Sequence, residues 1–437
     1  MSTEQNAEQA AARPAEQAAE RKGDGPIPHA VIVAGAGAAG LMCARTLADA
    51  GVAVLVLEAR RRIGGRIRTF RPDDGGPPLE LGAQVVHGAA SPVHALAGPL
   101  DAVPRTADAR VVTEGRLAGL AALGHDGRAP WALQHRLATA SGALEGSVAD
   151  WLVTHRLSRA ETRATREWFA QHWAVDPARL DARAVAAAHR GDGVGDGEYA
   201  LPGGLDRLAA GLAAGLDVRL GTPVRSVEWA PGRVQVRTDQ GELTARALVV
   251  TAPPAVVATG HLKIAGLPAA KSDAAARLPA GDACCLAVTY SRPAPVTRAT
   301  PTVVFDADGA RGFVTSRPGR PQVLVVAKAG AADVVRAAAD SPDSVGRLLA
   351  PALPWTARAE VRGVTVADWG ASPWSLGAFT HAGPGAEAAA ASWSAPLGDT
   401  LFFAGEATAA GRRLPWLHSA LDSGLRAAHD ILAAVRP

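Results

Sequence analysis

The stretch from Val31 to Thr69 constrains this chain of 437 residues more than any other. An apolar run, Val31 to Ala34, enters a glycine-rich turn, and a segment of small residues follows from about Ala38 to Asp49. A second apolar run, Val52 to Leu57, ends on Glu58. This succession predicts a β-strand, an α-helix and a second strand parallel to the first.

The glycines of the turn suit the binding of a dinucleotide. Gly35 permits the tight turn out of the strand, Gly37 lets the backbone approach a pyrophosphate, and Gly40 lets helix and strand pack closely. The N–H groups at the start of the helix then face the phosphates. Glu58 can accept hydrogen bonds from the hydroxyls of an adenosine ribose and would repel a 2′-phosphate. Because all these features coincide, the stretch predicts a dinucleotide site in preference to an ordinary structural turn.

A second pair of glycines follows the acidic residue. Gly64 and Gly65 precede Arg66, a fixed cation close to the first phosphate site, which suits a pyrophosphate buried between two loops. The run from Ile63 to Thr69 resembles the GGR motif of flavin amine oxidases, a family that includes monoamine, polyamine and L-amino acid oxidases. The resemblance implies FAD as the cofactor and an α/β, Rossmann-type FAD domain of the glutathione reductase-like kind.

Composition narrows the remaining possibilities. The hydrophobic content is 48% and the formal net charge is +3, with arginines scattered among acids, so we expect a globular protein that does not bind nucleic acid. Three cysteines, Cys43, Cys284 and Cys285, form neither a disulfide framework nor a metal motif. We therefore expect a reducing, cytoplasmic location and no metal site.

Residues 1 to 28 are polar and carry charges of both signs. They lack the apolar stretch of a signal peptide or membrane anchor, so a disordered tail is predicted. No later apolar run is long enough to span a bilayer, which predicts a soluble protein without a membrane partner. The sequence leaves a homodimer open.

The order of motifs predicts a discontinuous two-domain chain. Residues 29–88, 200–255 and 397–437 are assigned to the FAD-binding domain, and residues 89–199 and 256–396 to an α+β substrate domain. The first substrate segment is predicted to be a largely helical insertion, with Val148 to His155 and Arg159 to Trp173 as its clearest helices. The second is predicted to be an antiparallel sheet with helices, unlike the parallel sheet expected of the FAD-binding domain. Its strands are predicted at Ala283 to Tyr290, Thr302 to Phe305, Gln322 to Ala327 and Val361 to Asp368.

The segment from Glu80 to Gly88 predicts one short strand edged by glycines. It is also similar to the family segment that passes along the flavin ring. Val85 stands where L-amino acid oxidases carry an arginine for the substrate carboxylate, which argues against an α-amino acid as substrate. His87 resembles the histidine of polyamine oxidases.

Two further motifs support the resemblance and complete the implied cofactor site. Leu401 to Thr408 and the predicted helix from Ser419 to Ala434 are similar to the FAGE segment and terminal helix of the family. Val224 resembles the residue whose backbone holds adenine. The resemblance implies that FAD is bound by Gly35, Gly37, Ala39, Gly40, Glu58, Ala59, Arg60, Gly64, Gly65, Arg66, Gly82, Ala83, Gln84, Val224, Gly405, Glu406 and Leu417.

The resemblance also implies how the substrate is held. Phe379 and Trp416 correspond to the two aromatic rings that stand on the flavin face and flank a neutral amine, although both could be ordinary core aromatics. The amine then passes a hydride equivalent to flavin N5, and oxygen reoxidises the flavin to yield hydrogen peroxide. Ala378 lies where monoamine oxidases carry the flavin-linking cysteine, so FAD is expected to be non-covalent.

One position departs from the family pattern. Family members usually place a lysine that holds a water at flavin N5, and the matching residue is Cys285. The other lysines do not align with this position, so slow reoxidation by oxygen is expected. Cys284 and Cys285 could equally be small buried hydrophobes.

Two alternative functions follow from this departure and from the fold. One is a flavin-dependent desaturase or monooxygenase-like tailoring enzyme on the same fold, and the other is a flavoprotein without catalytic activity. The predicted catalytic residues are Phe379, Trp416, Cys285 and His87.

Overall fold

The computed structural model describes residues 29–103, 110–113, 116–123, 129–140, 142–304 and 312–435. The predicted N-terminal tail lies outside these residues, as does Phe305 at the end of a predicted strand. The helices are α1 Ala38–Asp49, α2 Val93–Ala97, α3 Pro130–Ala138, α4 Val148–Val153, α5 Arg159–Trp173, α6 Ala182–Gly191, α7 Asp206–Ala213, α8 Pro254–Ala258, α9 Ala269–Ala276, α10 Gly330–Ala338, α11 Pro342–Leu349, α12 Ala386–Ser394 and α13 Leu417–Val435.

The strands fall into two main sheets and two small ones. They are β1 His29–Ala34, β2 Val54–Leu57, β3 Thr69–Phe70, β4 Leu79–Glu80, β5 Val86–His87, β6 Asp101–Ala102, β7 Arg110–Thr113, β8 Arg116–Gly119, β9 Glu198–Ala200, β10 Asp217–Arg219, β11 Val224–Ala230, β12 Arg233–Thr238, β13 Gly241–Val250, β14 Lys263–Ile264, β15 Ala283–Tyr290, β16 Thr300–Val304, β17 Gly312–Ser316, β18 Gln322–Lys328, β19 Val361–Asp368 and β20 Leu401–Phe403.

The first sheet contains the predicted strand–helix–strand unit. Its order is β10-β2-β1-β13-β12-β11-β14, and β20 also pairs with β13. The strands β10, β2, β1, β13 and β20 run parallel to one another, whereas β12 is antiparallel to both β11 and β13 and forms a meander with them. The expectation of a parallel sheet therefore needs correction to a mixed sheet, because short turns join the meander strands and only antiparallel neighbours can be joined so directly.

The second sheet has the order β19-β15-β18-β17-β16-β7-β8. It is antiparallel as predicted except that β7 runs parallel to β16. The strands β7 and β8 come from the segment predicted to be largely helical, which is therefore a mixed insertion. The predicted single strand between Glu80 and Gly88 is also corrected, since β4 and β5 are separate and pair with different partners.

Two helices from distant parts of the chain, α1 and α13, pack against each other. Helix α13 lies against α1, and a side chain at Gly424 would collide with the carbonyl oxygen of Ala39. Apolar residues of both helices share one core, among them Leu41, Leu47, Leu421 and Ile431. This contact places the C-terminal helix beside the glycine-rich turn.

The predicted domain boundaries stay predictions, but packing around one of them is informative. Strand β14 pairs with β11 of the first sheet, and Val256, Leu262 and Leu278 lie in the core beneath that sheet. A boundary drawn from these contacts would follow Leu278 instead of residue 255. Among the described residues no helix is both long and apolar enough to cross a bilayer.

Candidate active site and cofactor cleft

The glycine-rich turn has the form that a dinucleotide site requires. Gly35 has a φ of +117°, and its N–H donates to the Leu57 carbonyl at 2.8 Å. A side chain at Gly40 would collide with the Gly35 carbonyl oxygen, so close packing alone demands this glycine. At Gly37 an added Cβ would meet only the Cα of Gly65, at 3.9 Å. The space in front of Gly37 is therefore open, and it fits the approach of a pyrophosphate.

The second glycine pair lies directly on the first turn. The Gly64 N–H donates to the Ala36 carbonyl at 2.8 Å, and Gly37 and Gly64 form an isolated parallel bridge. A side chain at Gly65 would be 3.0 Å from the Gly37 Cα. The structure thus brings the two predicted glycine loops together.

Glu58 is 3% exposed and closes both loops. Its Oε2 accepts from the Ala36 N–H and its Oε1 accepts from the Arg60 N–H, each at 2.8 Å. Each carboxylate oxygen can accept a further hydrogen bond, which leaves capacity for two ribose hydroxyls. Val224 starts the strand that follows Thr222, whose N–H donates to the Glu58 carbonyl at 2.8 Å. The predicted ribose and adenine residues are therefore neighbours.

A cavity of about 520 Å³ lies beside this acid and is lined by four arginines. Burial lowers the pKa of Arg60, and burial together with Arg60 and Arg68 lowers the pKa of Arg62 to about 10. A bound anion such as a pyrophosphate would relieve this crowding of positive charge. The sequence reasoning missed Arg61, Arg62 and Arg68, although the run of three consecutive arginines after Ala59 was a visible signal.

Arg66 is held in a different way from the one expected. Its guanidinium donates to Glu406 Oε1 at 2.8 Å and to the Ala378 carbonyl at 2.9 Å. Glu406 is 4% exposed and also accepts from the Thr380 hydroxyl at 3.1 Å. The arginine of the GGR motif is thus paired with the predicted FAGE acid, which links the GGR loop to the turn after β20.

The segment predicted to pass along the flavin contains an unpaired donor. The Nε2 atom of Gln84 is buried without a hydrogen-bond partner among the described residues, whereas Gly82 lies against the Arg66 carbonyl oxygen. Near the start of this segment, the Leu81 carbonyl accepts from the Trp369 indole at 2.8 Å. An orphaned amide at this place fits a cofactor with polar ring edges.

The last predicted cofactor residues lie where the terminal helix begins. Gly405 has a φ of +121°, and its N–H donates to the Ser423 hydroxyl at 2.8 Å. Leu417 is the first residue of α13, and Ala39 lies in α1 against that helix. The start of α13 therefore lies beside the helix that follows the glycine-rich turn.

On the predicted substrate side, His87 and Trp416 are stacked. Their ring centroids are 3.6 Å apart at an interplanar angle of 22°. Burial lowers the pKa of His87 to about 3, with smaller contributions from His418 and Lys328. The imidazole is therefore neutral at physiological pH. Glu198 Oε1 lies 3.8 Å from His87 Nδ1.

A buried pair of residues, His418 and Asp192, lies next to the stacked rings of His87 and Trp416. His418 Nε2 and Asp192 Oδ1 are 2.9 Å apart, and the same carboxylate oxygen accepts from the Leu414 N–H at 3.1 Å. The His418 ring lies edge-on to Trp416, with centroids 6.1 Å apart. Sequence reasoning did not identify this pair because its members are far apart along the chain.

Phe379 and Cys285 share a second apolar cluster with Ala378. Burial raises the pKa of the Cys285 thiol to about 12, so the thiol stays protonated. Phe379 is anchored through its backbone, because its carbonyl accepts from the Gly281 N–H at 2.8 Å. The two predicted aromatic rings thus belong to different clusters, since Trp416 packs against the cluster that contains Leu133 and Phe169.

The structure also brings a lysine to this region. Lys328 lies in β18 opposite Ala283 of β15, and its Nζ is 5.4 Å from the centroid of the Phe379 ring. Its charge acts on His87 and on Cys285. Lys328 does not occupy the position of Cys285, but the neighbouring strand brings it to the same part of the second sheet. Within the described residues no cluster of three or more His, Cys, Asp or Glu could hold a metal ion.

Comparison with known proteins decides the family. The sequence profile of flavin-containing amine oxidoreductases matches residues 38–432. The chain belongs to that family. This match confirms the predictions of an enzyme and of FAD as its cofactor, which the family typically binds non-covalently.

Two relatives and one solved structure illustrate the match. Polyamine oxidase 2 of Arabidopsis thaliana is 28% identical, covering 92% of this chain and 87% of that protein. The L-amino-acid oxidase of Mus musculus is 57% identical over 56 residues, 13% of this chain and 9% of that protein. Cyclohexylamine oxidase from Brevibacterium oxydans IH-35A is similar in fold, with a TM-score of 0.74 at 21% identity over 93% of this chain and 99% of the other. This flavin amine oxidoreductase thus has the mixed α/β fold of its structural neighbours.

Proposed function

We propose that this protein oxidises the C–N bond of a small apolar or aromatic amine, with oxygen as the acceptor. The observation that carries the proposal is the stacked pair of His87 and Trp416 together with Lys328, whose charge acts on His87 and whose Nζ lies 5.4 Å from the Phe379 ring centroid. Bound FAD would supply the redox chemistry: it would take up a hydride equivalent from the carbon beside the amine nitrogen and pass two electrons and two protons to oxygen, so that the products would be an imine, which water hydrolyses, and hydrogen peroxide.

The side chains of this region favour an uncharged amine. Trp416 and Phe379 offer flat apolar faces that orient a hydrophobic substrate. His87 is neutral because burial depresses its pKa, so it can exchange a hydrogen bond with the amine without repelling it. Lys328 would disfavour an ammonium ion nearby, which further selects the neutral form.

We also propose which residues bind each part of the cofactor. The loops at Gly37 and Gly65 face the pyrophosphate, Glu58 binds the ribose, and Gln84 faces the flavin. The arginine-lined cavity supports an anionic cofactor, and the domain is assigned to the glutathione reductase-like type with the segments given above. All three cysteines are buried and unpaired, which supports the proposal of a reducing, cytoplasmic location.

The test is an anaerobic screen of amines that follows bleaching of the flavin. Benzylamine, cyclohexylamine, spermidine and L-leucine represent aromatic, cyclic, polyamine and amino acid substrates. We expect the first two to reduce the flavin fastest and L-leucine to fail, because Val85 lacks the charge that would bind a carboxylate. Fastest reduction by spermidine would instead favour a polyamine, the substrate class in the name of the plant relative.

The alternatives predict different outcomes in this screen and in the same reactions run in air, where hydrogen peroxide is measured. A flavoprotein without catalytic activity would show no bleaching with any small substrate. A desaturase or monooxygenase-like enzyme would not yield one peroxide for each substrate consumed. This second alternative rested on the absence of a lysine at Cys285, and the position of Lys328 weakens that reason.

A further inference from the structure

Lys328 lies on the same face of the second sheet as Cys285. In antiparallel pairing Ala283 is opposite Lys328 and Cys285 is opposite Val326, so all four side chains leave the sheet on one side. Lys328 and Cys285 are diagonal neighbours, a relation that brings long side chains within reach of the same space. A lysine placed on β18 can therefore serve the space in front of β15.

The backbone of Lys328 is held in place from outside the sheet. Gln171 of α5 donates from Nε2 to the Lys328 carbonyl at 2.9 Å and accepts from the Lys328 N–H at 3.0 Å. The Gln171 side chain is fully buried. This double hydrogen bond fixes the end of β18, so the direction in which Lys328 leaves the strand is set by the fold.

The surroundings of the Lys328 ammonium are mainly apolar or neutral. Burial lowers its pKa, while Cys285 and Glu198 act in the opposite direction. The charge of Lys328 also lowers the pKa of His87 and the pKa of His172, although burial is the main cause of the lowering for each histidine. The ammonium lies 5.4 Å from the centroid of the Phe379 ring, a residue predicted to flank the substrate, and a buried charge held at such a place favours a functional use for the lysine.

We propose that Lys328 supplies from β18 the fixed positive charge of the reaction site that Cys285 cannot supply from β15. This inference rests on the proposed function, in which oxygen takes two electrons and two protons from the reduced cofactor and leaves as hydrogen peroxide. Negative charge develops on oxygen as the electrons arrive, and a preorganised cation in a water-poor site stabilises it. A neutral thiol at Cys285 offers no such stabilisation.

The first experiment measures reoxidation without any substrate. Holoenzyme is reduced with dithionite under anaerobic conditions and mixed with oxygenated buffer, and recovery of flavin absorbance is followed by stopped flow. We expect Lys328→Met to slow recovery by at least about tenfold. Lys263→Met, which removes an exposed lysine of β14, should leave the rate unchanged.

A relocation variant tests the role of the charge directly. The double substitution Cys285→Lys and Lys328→Ala moves the lysine from β18 to β15 on the same face. We expect it to recover most of the rate lost in Lys328→Met. Equal rates in the native protein and in Lys328→Met would overturn the proposal.

A second readout needs neither turnover nor a variant. The chain has four lysines, Lys22, Lys263, Lys271 and Lys328, so labelling of each by acetic anhydride can be followed by mass spectrometry. We expect FAD to protect Lys328 and to leave Lys263 unchanged; equal labelling of Lys328 with and without FAD would overturn the proposal even if Lys328→Met failed to fold. If no amine bleaches the flavin, the proposed substrate class fails while both readouts still decide the role of Lys328.

Discussion

Individual buried histidines make the free energy of unfolding depend on pH, and His381 shows the effect most simply. It is 3% exposed, and both its ring nitrogens lack hydrogen-bond partners among the described residues. Burial, with a contribution from Arg179, lowers its pKa from 6.5 to about 4. Between these values the unfolded chain binds a proton that the folded protein rejects, so the free energy of unfolding falls as pH falls.

Replacing His381 by Leu should remove this dependence on pH. We expect the slope of the free energy of unfolding against pH to decrease by up to about 1.4 kcal/mol per pH unit between pH 6.5 and 4. Urea unfolding of the holoprotein at saturating FAD, repeated across that range, measures the slope. An unaltered slope would show that His381 is protonated in the folded state.

Trp416 is a residue whose role can be separated from packing. Trp416→Ala should reduce turnover far more than flavin content, because the ring positions substrate and is not assigned to cofactor binding. Turnover and the flavin-to-protein ratio are measured together, with Trp131→Ala as a control at a tryptophan that is 39% exposed. Loss of flavin and collapse of the fold in Trp416→Ala would identify an ordinary core aromatic.

At the scale of elements, the glycine turn separates a structural requirement from a binding requirement. Gly37→Ala places a methyl group in open space at a φ of −80°, so apoprotein stability should change by less than about 1 kcal/mol. FAD affinity should nevertheless fall by at least about tenfold, because the methyl group occupies the proposed place of the pyrophosphate. FAD titration and urea unfolding of the apoprotein provide the two measurements.

Gly40→Ala is the matched variant, with the opposite expectation. Its methyl group would collide with the Gly35 carbonyl oxygen, so the apoprotein itself should lose about 1 to 3 kcal/mol. If both variants lost FAD affinity without losing apoprotein stability, the close packing of α1 on the turn would be wrong.

The ion pair of Arg66 and Glu406 joins two loops that are distant in sequence. Arg66→Ala leaves Glu406 buried without its cation, and we expect a loss of about 3 kcal/mol of stability even without FAD. The double variant Arg66→Ala, Glu406→Ala should lose less than the sum of the single variants, with a coupling of about 1 to 3 kcal/mol. Additive losses in urea unfolding would show that the two residues do not interact.

Local patterns predicted some elements well and could not predict others. The helices Ala38–Asp49 and Arg159–Trp173 have the expected bounds, because a glycine turn begins the first and the Ser158–Glu161 capping box begins the second. Strands β7 and β8 were missed because their segment was predicted to be largely helical, and β7 pairs with β16 far along the chain. Strand β17 was missed although its partners β16 and β18 are its neighbours in sequence. Lys328 was missed because the sequence was searched for a lysine only at the position of Cys285. Lys328 comes opposite Ala283 only when β15 and β18 pair, which the sequence alone does not show.

At the scale of the whole molecule, the cofactor site is assembled from separate parts of the chain held by non-covalent contacts. With Ala378 in place of a flavin-linking cysteine, we expect the yellow colour to leave the protein on denaturation. The measurement is the flavin absorbance of the supernatant after precipitation of the protein by acid. Flavin that stays with the precipitate would contradict this expectation.

The packing of α13 on α1 also sets the order in which this protein can mature in the cell. The glycine-rich turn leaves the ribosome well before α13, yet the apolar face of its helix is covered by Leu421 and Ile431 of α13. Until α13 is translated that face is exposed, and chaperones would have to shield it from aggregation. FAD can therefore be captured in its final site only after α13 has packed on α1, so a shortage of the vitamin should leave apoprotein that contains α13 and no stalled fragments.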